Sequence, residues 1–256
     1  MGVIWTSKTR TRQPENYVPV DSRFSLGVWV PGPAGMVRND GGSLSPAVPS
    51  AISQGLRAAR FNGSSDYQLT GWSGTPSVFS WVVVFKAELA PTTETSEAVV
   101  HRDGTSLTWG HGSAAYRGVV TFNSSGTYPK VALLDTTPGV WHTVVCVADG
   151  AQIRVWQNGR YCGSDTASGA ITAGTWNFGR DAGAINATNY WAGDIALCAL
   201  SPLAITDGQN LSRNPWQLFA PQRTPVFYSI AGVSPGPSTA NRIMLLRRPG
   251  LSRIWR

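Results

Sequence analysis

Carboxylate pairs, imidazoles and thiols are the groups from which hydrolytic or metal chemistry is built, and here they are sparse. Sugar hydrolysis with retention needs two carboxyls about 5 Å apart. On a strand that pair takes the form Glu-x-Asp-x-Glu, because side chains two apart share a face. The four glutamates are Glu15, Glu88, Glu94 and Glu97, and neither that triplet nor Glu-x-Glu occurs. The three histidines are His101, His111 and His142, and no Gly-x-Ser-x-Gly elbow offers a serine nucleophile. His101 and His111 flank glycine turns but lack a third ligand for zinc. His142 alternates with Trp141 in a strand-like run and reads as an ordinary strand position. No phosphate-cradling glycine loop is present. The expectation is a protein that is not an enzyme and has no metal site. Asp103 (RDG) and Asp181 (GRDAG) sit in turns that suit calcium, but one carboxylate per loop falls short of a ligand shell. No cofactor is therefore expected, calcium being the one considered.

The aromatic residues are richer in information. Eleven tryptophans serve a chain of 256 residues. Trp72 (TGWSG) and Trp109 (TWGHG) lie in glycine-rich turns, and Tyr190 follows the polar stretch AINATN. A ring on a turn, beside amides, is a stacking platform for a sugar, so these three are the candidate ligand-binding residues. Trp81, Trp141, Trp156, Trp176 and Trp191 fall within strand-like runs and are expected in the core.

Charge divides the chain. Residues 1–60 hold seven basic and three acidic side chains, residues 61–220 eight and eleven, and residues 221–256 six and none. A neutral-to-acidic body thus carries two basic ends. The basic residues are spread out and do not cluster on one helix, so an acidic protein surface suits them better than nucleic acid. Trp5, Arg10, Arg12 and Tyr17 in the first end, and Arg247, Arg248 and Trp255 in the last, are the residue types favoured as interface anchors. The three cysteines (Cys146, Cys162, Cys198) make neither a zinc spacing nor a disulfide framework, and read as small buried apolar groups. The opening MGVIWTSKTRTRQ has no apolar core, so no secretory leader is expected, and no apolar run is long enough to span a membrane.

The elements that must position these residues are strands. Val78–Lys86 (VFSWVVVFK) is β-branched and aromatic. Trp141–Ala148, Gln152–Gln157 and Arg160–Gly163 are joined by Asp149-Gly150, a type I′ hairpin signal, and by Asn158-Gly159, which together predict an antiparallel meander. Tyr190–Leu200 reads as another long strand, and residues 206–218 as the one short helix, with Asp207 as N-cap. The expected architecture is all-β, an antiparallel β-sandwich of jelly-roll type. Its parts are an N-terminal arm over residues 1–25, the sandwich over 26–221 and a basic C-terminal arm over 222–256.

Several motifs fall in a familiar order. They are Trp141-His142-Thr143-Val144, Asp149-Gly150, Asn158-Gly159, Asn177-Phe178-Gly179 and Gly193-Asp194-Ile195, closing on Leu200-Ser201 and Asn214-Pro215-Trp216. Phe61-Asn62-Gly63 and Ser80-Trp81-Val82-Val83 precede them. This order resembles the laminin-G-like domains of the concanavalin A-like lectin/glucanase superfamily, over about residues 60–221. The resemblance implies a lectin-like sandwich whose chemistry is surface contact. The opening Ile4-Trp5-Thr6-Ser7-Lys8-Thr9-Arg10-Thr11 with Pro14, and the close Asn214–Phe219 (NPWQLF), are similar to virion-associated proteins of tailed bacteriophages. That second resemblance implies a virion structural protein, either capsid decoration or a tail or fibre component, assembled in the bacterial cytoplasm. Its partners would be other virion proteins and itself as a homo-oligomer. A host glycan is the partner expected if the module serves adsorption.

Overall fold

The computed structural model describes residues 21–38, 44–91, 97–102, 105–109, 118–122, 128–167, 169–171, 174–180 and 189–219. Within them two antiparallel sheets face each other. The larger holds β1 (Gly27–Gly32), β2 (Gly35–Arg38), β3 (Ser50–Ser53), β4 (Leu56–Asn62), β6 (Val78–Ala87), β11 (His142–Asp149), β12 (Gln152–Gln157), β13 (Arg160–Thr166) and β15 (Ala192–Ser201). The smaller holds β5 (Gln68–Leu69), β7 (Glu97–Arg102), β8 (Thr105–Trp109), β9 (Gly118–Thr121), β10 (Lys130–Ala132) and β14 (Asn177–Phe178). The first runs in the order β13-β12-β11-β6-β15-β1-β2, and the second β10-β9-β8-β7-β14-β5. The first half of β15 pairs with β4, and β4 in turn with β3; the later half of β15 pairs with β1. The all-β sandwich read from the sequence is the observed architecture.

The unbroken apolar run of β6 follows from burial on both faces. Phe79, Trp81, Val83 and Phe85 point between the sheets, where they join Trp29, Phe61, Phe122, Trp176, Phe178 and Trp191. Val82 and Val84 point outward into a second apolar layer with Phe24, Val145, Val147, Leu211 and Leu218. In β15 a bulge between Ile195 and Leu197 places Ala196 and Leu197 both in the outer layer, while Ile195, Cys198 and Leu200 stay inside. Strict alternation would misplace half of that strand.

The outer layer is roofed by α1 (Gly208–Arg213) and a 3-10 turn at Pro215–Leu218. The single helix expected over 206–218 is thus two short pieces, broken where Asn214 leaves helical geometry ahead of Pro215. Asp207 stands at the N-cap position, yet its side chain makes no capping bond. Its carboxylate instead accepts from the Arg23 guanidinium at 2.8 and 3.1 Å. Arg23 also reaches Asp21, whose backbone N–H donates to Leu218 O, and Phe24 is buried in the outer layer. Residues 21–25, placed in the arm from sequence, belong to the sandwich.

The meander forms as expected, with one shift. Asn158 and Gly159 both have positive φ (51° and 83°) between the closing pair Gln157 and Arg160, the pattern of a type I′ turn. At the other hairpin Asp149 ends β11, and the two turn residues are Gly150 and Ala151. Only Gly150 has positive φ, and Asp149 Oδ1 accepts from the N–H groups of Ala151 and Gln152. The type I′ expectation for Asp149-Gly150 is therefore corrected. The aspartate caps the turn from its edge because its side chain satisfies two backbone donors there.

Trp81, Trp176 and Trp191 are core residues, as expected. Trp141 and Trp156 are half-buried against the outer layer, outside the space between the sheets. Cys146 and Cys198 are buried, and loss of hydration pushes both thiols up; Cys162 is half-buried and also raised, by burial first. No helix among the described residues is long and apolar enough to cross a membrane. Trp5, Arg10, Arg12, Tyr17, Arg247, Arg248 and Trp255 lie outside the described residues, as do Asp103, Asp181 and His111.

Candidate functional site: an arginine–tyrosine rim

At one end of the smaller sheet, β14 stops abruptly. Gly179 takes φ +83°, which a residue bearing Cβ adopts only with strain, and the chain turns out of the sheet. The next residue, Arg180, forms an isolated antiparallel bridge with Tyr190. The Trp191 N–H then donates to Gly179 O at 2.8 Å, returning the chain into β15. Together these contacts fix Arg180 and Tyr190 side by side.

The third member comes from the turn between β4 and β5. Asn62 Oδ1 accepts from the backbone N–H groups of Ser64, Ser65 and Asp66, and Asp66 Oδ2 accepts from Asn62 N–H. A four-residue polar turn is thereby closed by its own side chains. It presents Tyr67 so that the Arg180 guanidinium lies over the ring, 3.6 Å from its centre. The Tyr190 ring stands 6.4 Å from Tyr67 and is tilted by 47°. All three side chains are partly exposed. The result is two aromatic rings meeting at an angle with a cation pressed on one of them. Such a surface offers C–H/ring stacking and guanidinium donors, the chemistry of saccharide contact.

Tyr190 is thus at a built surface, whereas Tyr67 and Arg180 escaped sequence reading. Their signal is only the paired glycine turns (Asn62-Gly63 and Phe178-Gly179), which bring distant residues to one edge. Trp109 is corrected: it is 1% exposed at the end of β8. Its ring packs on Phe85 and His142 at 5.5 and 5.4 Å, and its indole N–H donates to Leu89 O. The glycines around it in the sequence suggested a loop, but Trp109 pairs with Glu97 inside the sheet. A ring enclosed on every side presents no face to a ligand.

Trp72 is half-buried at the opposite end of β5 and β14, where its carbonyl accepts from Trp176 N–H. Its ring lies against Trp176 (6.0 Å) and the buried Arg102 (5.3 Å). Trp72 and Tyr190 therefore do not share a site.

A second polar feature is built on β4, β6 and β15. A cleft of about 160 Å³ is lined by Arg60, Lys86, Glu88, Gly193 and Asp194, among others. Asp194 is 1% exposed and receives Arg60 at 2.6 and 3.0 Å and Lys86 at 2.9 Å. Burial alone would raise this carboxyl, but hydrogen bonds from Arg60, Lys86 and Ser53 outweigh it and hold it below the ordinary carboxylate range. His142 is fully buried. Its Nε2 meets Thr137 O at 2.9 Å, so Nε2 carries the proton, and Nδ1 accepts from Gln157 Nε2 at 3.2 Å. Burial pushes this imidazole below its ordinary range, against smaller upward pulls from Thr137 and Asp135. No cluster of three or more potential metal ligands occurs among the described residues.

The comparisons agree with this architecture. No curated protein matches the sequence significantly. Among solved structures, the chain is similar to the binding domain of Paraclostridial Mosquitocidal Protein 1, with a TM-score of 0.57 and 9% identity over 75% of this chain and 51% of that one. It is also similar to the HCR/D F1240A mutant, with a TM-score of 0.51 and 8% identity over 75% and 50%. Domain 4 of an extracellular arabinanase from Geobacillus stearothermophilus gives a TM-score of 0.48 and 16% identity over 70% and 82%. At such identities the likeness to the first two is one of fold, and the chain spans about half the length of each of them. Residues 61–209 match the Laminin_G_3 family model, and with more than half its length covered the chain belongs to the concanavalin A-like lectin/glucanases superfamily.

Proposed function

We propose that the chain is a non-enzymatic glycan-binding module, borne on a virion and serving adsorption to a surface. The observation that carries the glycan half is the rim at which Tyr67, Arg180 and Tyr190 meet. Membership of a lectin/glucanase superfamily supports it. The non-enzymatic reading is supported by the sequence, which holds neither a Glu-x-Asp-x-Glu nor a Glu-x-Glu pair of the kind that sugar hydrolysis on a strand would use. Affinity electrophoresis of the whole chain through gels loaded with different polysaccharides tests the reading. Retardation by at least one polysaccharide is expected, with no shortening of it on long incubation. Unretarded migration in every gel overturns it.

The virion half rests on the ends. The resemblance of residues 4–14 and 214–219 to virion-associated proteins, and six basic against no acidic residues in 221–256, support a display module with anchoring ends. Truncation of residues 1–20 or 240–256 should abolish incorporation into particles while the circular dichroism of the sandwich is preserved. Normal incorporation of both truncated chains overturns this half.

A further inference from the structure

The partly buried cations of this sandwich are mostly matched to carboxylates. Arg23 meets Asp21 and Asp207, Arg60 and Lys86 meet Asp194, and Arg154 meets Asp149. Two arginines lie on aromatic rings instead: the buried Arg102 on Trp72, donating to the carbonyls of Ser73 and Gly74, and the partly exposed Arg180. Arg180 rests on the Tyr67 ring, and among the described residues no carboxylate pairs with it. Its Nε is buried and has no hydrogen-bond partner. The side chain as a whole is partly exposed, so a ligand would meet the Nη end of the guanidinium and not its Nε.

The stack also bears on what that ligand must be. At 3.6 Å from the ring centre the guanidinium lies over the ring, a contact that does not use the in-plane donors of its Nη groups. In-plane donors of a guanidinium form a rigid fork, matched by the two oxygens of a carboxylate or by those of a sulfate ester. Tyr190, tilted beside it, supplies the apolar face for the sugar ring that carries such a group. The Arg180–Tyr190 backbone bridge holds the two at fixed separation, so little ordering is needed on binding.

We propose that this rim selects acidic saccharides, in which a carboxylate or sulfate engages the in-plane edge of Arg180 while the sugar ring packs on Tyr190. This inference rests on the glycan-binding reading and narrows it to a chemical class.

Isothermal titration of the full chain with matched oligosaccharides tests it: a neutral one, its uronic-acid counterpart and its sulfated counterpart. The acidic members should bind about tenfold more tightly than the neutral one, which corresponds to one charge-assisted contact. The preference should shrink severalfold between low and high salt, as for an exposed ion pair. Arg180→Gln should remove the preference and leave residual neutral-sugar binding through Tyr190; Arg180→Lys should restore part of it, having charge but no fork. A preference confined to the carboxylated or to the sulfated member identifies which anion is read and supports the inference. Equal affinity for neutral and acidic sugars, unchanged by salt, overturns it while leaving glycan binding intact. Absence of binding to all three and to every polysaccharide defeats both. The salt series on the unaltered chain keeps the test decisive even where a substitution impairs folding.

Discussion

A Cβ placed on Gly179 would come within 2.3 Å of Phe61 Cδ1, a distance no real pair of carbons holds. The same atom would lie 2.9 Å from the Asp66 carbonyl oxygen, on the turn that presents Tyr67. The core ring and the rim turn thus both close on a space that only glycine leaves open. Gly179→Ala should cost about 3 kcal/mol, combining the left-handed backbone penalty with overpacking. Urea unfolding measures the loss, and saccharide binding should fall with it because Arg180 is displaced. A variant as stable as the parent would contradict this placement of β14.

Trp109 and Tyr190 make an opposed pair. Trp109→Ala removes a buried ring packed on Phe85 and His142 and should destabilise by about 3–5 kcal/mol. Tyr190→Ala acts at a partly exposed rim and should change stability by less than about 1 kcal/mol while abolishing ligand contact. Thermal melts run beside binding titrations separate the two. The reverse pattern would mean that the ligand enters at Trp109.

Much of this division is visible in the sequence and some of it is hidden, for definite reasons. The hairpin Gln157–Arg160 is legible because Asn158-Gly159 is a local signal needing no tertiary context. The register of β11 and β6, with Cys146 opposite Trp81, is hidden, because runs apolar on both faces carry no alternation that would fix it. Arg180 and Tyr67 are 113 positions apart, and nothing local in either segment announces that they touch. Trp109 misleads because glycines follow it closely in sequence, yet pairing with Glu97 draws it into the sheet. Asp207 has the residue type and place of an N-cap, and loses that role to a stronger partner, Arg23.

Asp194 is a buried charge enclosed by two cations. Asp194→Asn leaves Lys86, whose side chain is 14% exposed, without its counter-ion. The cost should be about 3 kcal/mol, as when one member of a buried pair is removed. Arg60, more exposed, contributes less, and Arg60→Gln should cost well under half as much. Comparable losses for the two substitutions would show that the pair is not governed by burial.

His142 couples stability to pH. Its imidazole is held neutral by burial, so its folded pKa lies below the unfolded value of about 6.5. The unfolded chain therefore takes up a proton first as the pH falls through that value. Stability contributed by neutral His142 is complete above about pH 7 and declines through mildly acidic pH until the folded pKa is passed. Urea midpoints measured from pH 8 to pH 5 should fall, and His142→Gln should flatten that fall while lowering the whole curve. A midpoint independent of pH in the parent would contradict the buried, neutral state.

The most direct measurement is a glycan-array profile of the intact chain beside Tyr190→Ala and Arg180→Gln. The account predicts a set of bound saccharides rich in carboxylate or sulfate, lost in Tyr190→Ala and stripped of its acidic preference in Arg180→Gln, with all three proteins melting within a few degrees of one another. An array on which the intact chain binds nothing, or on which the two variants reproduce the parent's profile, would contradict it.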